Sequence, residues 1–152
     1  VVGDEGSGKT HFLRQLCAAR SDALWLDTRL PGHDQTTPEI FWRQIQSTHP
    51  LWSESLCKAL CAALDLEDHL GKQLYMLSNG SRRKVALIAL LASGAQLICL
   101  DQPFVALDQA SIEVLCDFLN DRADDPSRVW LVADYEADPR LDWRAVINLS
   151  LS

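Results

Sequence analysis

Apolar side chains recur along the chain in two patterns that alternate from one end to the other. Short apolar runs typical of buried strands lie at residues 23–27, 96–100, 129–133 and, as a last candidate, 145–149. Helical spacing of apolar residues is found between these runs, at residues 9–19, 81–92 and 111–119. Strands that alternate with helices favour a parallel arrangement. The pattern therefore predicts an α/β fold with a mainly parallel sheet flanked by helices.

The region between the first two predicted strands departs from this alternation and is predicted to be helical. A Thr-Pro-Glu sequence at residues 37–39 is typical of a helix start, with threonine as N-cap and proline at the first helical position. A Ser-Glu pair at residues 53–54 opens a second helix. We therefore expect a helical insert at residues 38–72, within a helical signature subdomain of about residues 36–80. Both belong to a single domain that spans residues 1–152.

The composition suits one domain with a sizeable core. Of its 152 residues, 47% are hydrophobic and 23% are charged, and no apolar run is long enough to span a bilayer. The formal net charge of −7 argues against nucleic acid as a direct partner, because phosphate contacts need clustered lysine and arginine. Only the Arg-Arg-Lys sequence at residues 82–84 forms a compact basic run.

The cysteines indicate a reducing compartment. There are five, an odd number, and they are scattered without a Cys-x-x-Cys pair, so we expect a cytoplasmic protein rather than a disulfide framework. Cys57 and Cys61 lie four residues apart on a predicted helix. We interpret them as small buried side chains rather than as metal ligands.

Residues 3–10 fit the pattern G-x-x-x-x-G-K-[ST], which binds nucleotide phosphates. Glycines allow several backbone N–H groups to converge on an anionic phosphate at the start of a helix. Lys9 would place its ammonium against the β and γ phosphates, and the Thr10 hydroxyl would be a ligand of Mg²⁺. The alternative is a glycine-rich turn before an amphipathic helix, but the complete match and the strand-to-helix context favour the phosphate loop. The expected nucleotide-binding residues are Gly3, Asp4, Glu5, Gly6, Ser7, Gly8, Lys9 and Thr10.

A second candidate for the phosphate site ends the apolar run at residues 97–101. In P-loop enzymes an apolar strand that ends in aspartate delivers its carboxylate to the Mg²⁺ side of the phosphates, and Asp101 fits this role. By itself, such a run is equally consistent with a buried strand that ends in an acid facing a helix.

Four motifs follow one another in a specific order: the loop at residues 3–10, LSNGS at 77–81, LICLDQP at 97–103 and VALD at 105–108. Together with the helical insert, this order resembles the nucleotide-binding domain of the ATP-binding cassette (ABC) family, from the first residue to about Asp134. The segment GSRRKVALIALL, which starts at Gly80, looks like the signature helix of that family. The resemblance implies a P-loop NTPase fold that binds ATP with Mg²⁺.

The resemblance also implies roles for single residues and a dimeric arrangement. Asp101 corresponds to the Walker B aspartate on the Mg²⁺ side, and Leu107 and Asp108 correspond to the D-loop that links two sites. Ser78 and Gly80 correspond to the signature motif, whose hydroxyl and N–H groups meet the γ-phosphate of ATP held by a partner domain. Each complete site would then need two ABC domains, in a homodimer or a heterodimer, with ATP between them.

Several departures from the family pattern concern hydrolysis. Gln102 occupies the position of the catalytic glutamate; a glutamine can orient water but cannot accept its proton, and loss of a general base costs on the order of 100- to 10,000-fold in rate. Asp134 falls at the position of the switch histidine, where a carboxylate would repel the γ-phosphate. Asn79 and Ser81 also differ from the usual signature sequence.

Two other family features have no clear counterpart. The chain starts inside the strand expected at Val1 and Val2, so we expect a domain that is incomplete at its N-terminus, with the adenine-stacking aromatic residue before residue 1. No glutamine is assigned to the Q-loop, for which Gln35 is a weak candidate.

The motifs are compatible with several functions. The first is an ATP-binding subunit of an ABC transporter, which turns ATP binding and hydrolysis into motion of a transmembrane partner gripped through the helical insert. Such a protein would be membrane-associated through that partner. The second is a degenerate, regulatory module that binds ATP and hydrolyses it slowly or not at all, as Gln102 and Asp134 suggest. A soluble, non-transport ABC protein of the repair or translation type is a third alternative, against which the acidic charge counts.

Overall fold

The computed structural model of the chain describes residues 1–149 and has a parallel sheet at its centre. The spatial order of its three strands is β1 (Ala23–Trp25), β2 (Leu97–Asp101) and β3 (Val129–Ala133). Val2 extends the sheet beyond β3 through an isolated parallel bridge to Asp134. The strand β3 therefore lies between β2 and the segment that leads into the glycine-rich loop.

Helices cover the sheet and form the insert. Their bounds in the described part of the chain are α1 (Lys9–Ala18), α2 (Pro38–Thr48), α3 (Glu54–Ala63), α4 (Asn79–Ala92) and α5 (Gln109–Asp121). Two 3₁₀ turns, Glu67–His69 and Leu74–Met76, lie between α3 and α4. No helix within residues 1–149 combines the length and the apolar character that a bilayer span needs. The predicted α/β architecture and the predicted helical insert are both present.

Strand β2 is covered on both faces. Leu97 and Cys99 belong to an apolar cluster with Leu13 of α1, whereas Ile98 and Leu100 belong to a larger cluster that includes most of α4. Successive side chains of a strand point to opposite faces, so α1 and α4 cover opposite faces of the sheet. This double burial explains why the sequence of β2 is continuously apolar.

The helical insert shares its apolar core with α4. Phe41 and Trp42 of α2 and Leu60 of α3 are buried in the same cluster as the apolar residues of α4. The indole N–H of Trp42 donates a 2.9 Å hydrogen bond to the carbonyl oxygen of Val85 in α4. These contacts attach the insert to the helix that begins with the LSNGS sequence.

Side-chain caps fix the starts of four helices. Thr37, Ser53, Ser78 and Asp108 each accept a hydrogen bond from the backbone N–H three residues further along. The predicted starts of α2 and α3 are confirmed. Helices α4 and α5 each begin two residues earlier than predicted, because their first turns are polar and the spacing of apolar residues does not detect them.

Two predicted strands differ in the structure, one because it is shorter and one because it does not form. Strand β1 ends at Trp25, because the carboxylate of Asp27 accepts a 3.0 Å hydrogen bond from the backbone N–H two residues on and turns the chain. The prediction of a last strand at residues 145–149 is wrong, since this stretch forms only an isolated bridge between Asn148 and Val2.

Cys57 and Cys61 are core residues, as the interpretation from the sequence predicts. Each is 4% exposed. Burial raises the pKa of Cys57 to about 12 and also raises the pKa of Cys61. Both thiols are therefore protonated at neutral pH and behave as small apolar groups.

Candidate nucleotide-binding site

The sheet brings three chain segments to one edge of the molecule. Asp101, at the end of β2, pairs with Ala133 at the end of β3, and Val2 bridges to Asp134 directly after β3. The carboxyl ends of parallel strands meet at one edge, which is where α/β proteins bind ligands. The glycine-rich loop at residues 3–8 therefore adjoins the turns that follow β2 and β3.

The glycines of the loop meet the backbone requirements of a phosphate cradle. Gly6 and Gly8 have φ angles of 76° and 89°, in the left-handed region that favours glycine. A Cβ atom on Gly3 would lie 2.6 Å from Ser7 Oγ and 2.7 Å from the carbonyl oxygen of Leu149. Gly8 is also the N-cap of α1, so the loop ends at the unpaired N–H groups of a helix start.

Lys9 is buried beneath the loop, with 7% of its surface exposed. Its ammonium donates to the carbonyl oxygens of Gly3 at 2.5 Å and Asp4 at 2.8 Å, and it lies 4.7 Å from the centre of the Tyr135 ring. Asp4 and Glu5 are exposed. Among the described residues Lys9 forms no ion pair, so its positive charge remains available to an anion.

Thr10 and Asp101 meet although 91 residues separate them in the sequence. The hydroxyl of Thr10 donates a 2.6 Å hydrogen bond to the carboxylate of Asp101. Hydroxyl, carboxylate and phosphate oxygens are hard ligands of the kind that Mg²⁺ prefers. This donor set, next to the ammonium of Lys9, fits a nucleoside triphosphate bound with Mg²⁺.

Gln102 is held by its backbone directly after Asp101. Its φ of 46° lies in a region that non-glycine residues rarely adopt. Its N–H donates to the carbonyl of Ala133 at 2.8 Å, and its own carbonyl accepts from the guanidinium of Arg83 at 2.8 Å. Burial lowers the pKa of Arg83, and the carboxylates of Asp101 and Asp27 oppose this shift. These contacts fix the direction in which the Gln102 side chain leaves the backbone.

Asp134 also lies beside the loop. Its N–H donates to the carbonyl of Val1 at 3.0 Å, and its carboxylate accepts the backbone N–H of Tyr135 at 2.8 Å. The carboxylate of Asp134 is thus bound to the adjacent backbone, whereas the ring of Tyr135 contacts the ammonium of Lys9.

Ser78 and Gly80 form a second group at the start of α4. Ser78 is exposed, and its hydroxyl contacts Ser81. A Cβ atom on Gly80 would lie 2.5 Å from the carbonyl oxygen of Ala106, so glycine permits the close approach of residues 105–108 to α4. Within residues 1–149, no hydrogen bond joins the Ser78 side chain to the phosphate loop. The structure therefore brings the candidate residues together in two groups, not one.

Several proteins are similar in sequence to this chain, although no family model matches it. Over 146 aligned residues the chain is 32% identical to the cytochrome c biogenesis ATP-binding export protein CcmA of Pseudomonas syringae pv. tomato, covering 82% of the chain and 68% of the relative. The chain belongs to the ABC ATP-binding protein family. The CcmA protein of Gluconobacter oxydans is 35% identical over 127 residues, covering 76% of this ABC domain and 57% of that relative. The domain thus spans only part of the length of these relatives.

Solved structures show the same fold. An ABC transporter ATP-binding protein from Pyrococcus furiosus superposes with a TM-score of 0.76 at 20% identity, covering 99% of this ABC domain and 82% of that chain. The ATP-binding subunit of an ABC transporter gives a TM-score of 0.73 at 18% identity, covering 87% and 65%. The α/β P-loop NTPase fold predicted from the motifs is confirmed.

The basic run of the ABC domain is used inside the protein. Arg82 pairs with the carboxylate of Asp34 at 2.7 Å. Lys84 donates to the carbonyl of Leu64 at 3.0 Å and lies 3.7 Å from the carboxylate of Asp108. Because the arginine between them contacts Gln102, all three cations have internal partners, and the run is not a free basic patch.

Two residues at the site, Arg83 and Tyr135, are not among those predicted from the sequence. Arg83 is visible in the sequence only as part of a basic run, and its contact with Gln102 exists because α4 packs against β2. Tyr135 lies two residues after the end of β3. This position directly after a strand could have identified it from the sequence as a candidate site residue. Its contact with Lys9, 126 positions earlier in the numbering, depends on the sheet order.

Proposed function

We propose that this ABC domain binds ATP together with Mg²⁺ and that the complete site forms between two such domains. The observation that carries the proposal is the 2.6 Å contact between Thr10 and Asp101, next to the buried ammonium of Lys9. A glycine-rich turn without a ligand would not require a buried lysine, which forms no ion pair within residues 1–149, to lie beside a hydroxyl and a carboxylate from distant segments.

The residues of the chain divide the binding of the triphosphate among them. Backbone N–H groups of the loop and of the start of α1 donate to phosphate oxygens. Lys9 exchanges its two carbonyl partners for oxygens of the β and γ phosphates. Thr10 and Asp101 hold the Mg²⁺, which when bound neutralises part of the phosphate charge.

The second half of the site is proposed to act on a partner domain. Ser78 and Gly80 lie at the start of α4, where a helix N-terminus favours an anion. They donate to the γ-phosphate of ATP held by the loop of the other domain. Nucleotide then forms part of the interface, so ATP binding and dimerisation are linked.

The names of the relatives suggest the process that this ATP binding serves. The two relatives compared above are named as ATP-binding export proteins of cytochrome c biogenesis. We propose that this domain likewise drives a membrane partner in an export system, at the cytoplasmic face of the membrane. The helical insert is the surface proposed to contact that partner.

A regulatory module that holds ATP without efficient turnover is the second candidate. Gln102 favours it, since a glutamine next to the Mg²⁺-side carboxylate cannot accept the proton of the attacking water. In a heterodimer, a partner domain with a glutamate at this position would still provide one competent site.

The test of nucleotide binding compares Lys9→Ala with Lys58→Ala, a change at an exposed lysine of α3. Affinity for a fluorescent ATP analogue is measured by titration in the presence of Mg²⁺. We expect Lys9→Ala to weaken binding roughly 10- to 100-fold, because hydrogen bonds to a charged group are lost, and Lys58→Ala to have no effect. Equal affinities for the wild type and Lys9→Ala would refute the proposal.

A further inference from the structure

Tyr135 is an aromatic residue at the edge of this ABC domain where the glycine-rich loop lies. It follows β3 after one intervening residue, and half of its surface, 50%, is exposed. Single exposed aromatic side chains are common on protein surfaces, so the exposure of Tyr135 is not informative by itself. Its contact is informative, because the centre of its ring lies 4.7 Å from the ammonium nitrogen of Lys9.

Binding of a phosphate would affect the contacts of Lys9 in two different ways. Its hydrogen bonds to the carbonyls of Gly3 and Asp4 use N–H donors that phosphate oxygens would need. The contact with the Tyr135 ring uses the electrostatic attraction between a cation and the face of an aromatic ring, and consumes no donor. The ammonium can therefore exchange carbonyls for phosphate oxygens and keep the ring.

An aromatic partner also differs from an acidic one. A carboxylate at this position would neutralise Lys9 and repel the phosphates, whereas a ring orients the ammonium and leaves its charge intact. The carboxylate of Asp134, one residue before Tyr135, accepts the backbone N–H of Tyr135. Ordering a lysine side chain costs conformational entropy, which a fixed ring contact reduces before the ligand arrives.

We infer that Tyr135 is a positioning residue that holds the Lys9 ammonium in place for the β and γ phosphates of the nucleotide. The inference rests on the proposed binding of ATP. It assigns to the ring, and not to the phenol hydroxyl, the contribution to nucleotide affinity.

The experiment measures affinity for the fluorescent ATP analogue with Mg²⁺ in Tyr135→Phe, Tyr135→Leu and the matched control Tyr75→Leu, which alters the other tyrosine of the chain. We expect Tyr135→Phe to bind as the wild type does, and Tyr135→Leu to bind roughly 2- to 5-fold more weakly, the range of an exposed cation–π contact. The control is expected to retain wild-type affinity. Circular dichroism melting curves verify that every variant is folded, and leucine keeps apolar volume at the site.

A second readout follows the contact directly. The chain has four lysines, so the ε-methylene signals of ¹³C-labelled lysine are few enough to assign in the nucleotide-free protein. A ring above Lys9 shifts its ε-methylene protons upfield. We expect this shift in the wild type and in Tyr135→Phe, and its loss in Tyr135→Leu, with the other three lysines unchanged.

The possible outcomes distinguish a failure of the inferred role of Tyr135 from a failure of the proposed ATP binding. If the wild type does not bind the ATP analogue, the proposed function fails, and the inference fails with it. If the wild type binds and Tyr135→Leu binds equally well, only the inference is overturned. Loss of affinity in Tyr135→Phe as large as in Tyr135→Leu overturns it too, because the hydroxyl would then carry the effect. An ε-methylene shift that persists in Tyr135→Leu contradicts the ring contact itself.

Discussion

Single side chains in this domain connect segments that are far apart in the sequence. The Thr10 hydroxyl reaches the carboxylate of Asp101, and the Arg83 guanidinium reaches the backbone carbonyl of Gln102. The second contact keeps Gln102 in its left-handed backbone conformation. Whatever side chain stands at this position is therefore directed in a fixed way from the end of β2. In the proposed function, the chemistry of that side chain would set the rate of hydrolysis.

The variant Gln102→Glu tests, at the residue scale, how the side chain at position 102 affects hydrolysis. A glutamate in the same backbone conformation can accept the proton of the attacking water, so we expect phosphate release to rise by on the order of 100-fold or more. The measurement is steady-state phosphate release with ATP and Mg²⁺. Gln102→Asn serves as the control, since it changes length without adding a base. A wild-type rate that already equals that of Gln102→Glu would contradict the regulatory alternative.

At the scale of elements, α4 contributes both to the core and to the candidate site. Its residues from Arg83 to Ala92 are buried, and its start packs closely against the segment at residues 105–108. The same helix supplies the candidate signature residues, the contact with Gln102 and the core of the insert. A displacement of α4 would therefore move the candidate signature residues and the backbone of Gln102 together.

Gly80→Ala tests the close approach of α4 to residues 105–108. The added Cβ would lie 2.5 Å from the carbonyl oxygen of Ala106, so a backbone segment must move, at a cost of about 1–3 kcal/mol in the free energy of unfolding. Urea unfolding curves measure this cost. Gly71→Ala is the matched control, because nothing lies within 4 Å of its Cβ position. An equal unfolding midpoint for Gly80→Ala and the control would show that the approach is looser than described.

At the scale of the whole molecule, the sheet order decides which residues share one edge. Val2 and β2 lie on either side of β3, so that the phosphate loop and Asp101 share one edge. The start of α4, with Ser78 exposed, is a separate surface. In the proposed function, the first surface holds a triphosphate and the second meets the triphosphate of a partner.

Asn79→Glu tests the proposed dimer. Asn79 is exposed at the first position of α4, where a glutamate suits the helix N-terminus and should preserve the fold. The added carboxylate would face the γ-phosphate held by the partner. We expect Asn79→Glu to keep the nucleotide affinity of the single domain and to lose the dimer that forms with ATP and Mg²⁺. Light scattering measures the mass, and Asn79→Gln is the neutral control. Equal dimerisation of the two variants would contradict the proposed interface.

The predictions from the sequence succeeded where a local pattern determines the result. The glycine-rich loop that leads into α1, the caps at Thr37 and Ser53 and the strand that ends in Asp101 all depend on residues within a few positions of one another. The last strand predicted at 145–149 depends instead on a pairing partner from a distant segment, and only the isolated bridge between Asn148 and Val2 forms.

The sequence by itself therefore determined the family, the order of the motifs and the α/β alternation, because each is written in residue types at short spacings. The tertiary structure alone decided that Thr10 meets Asp101, that Arg83 holds the backbone of Gln102 and that the Tyr135 ring lies beside Lys9. These contacts depend on the order of strands in the sheet and on the packing of α4, which bring together side chains whose separation along the chain leaves no local pattern.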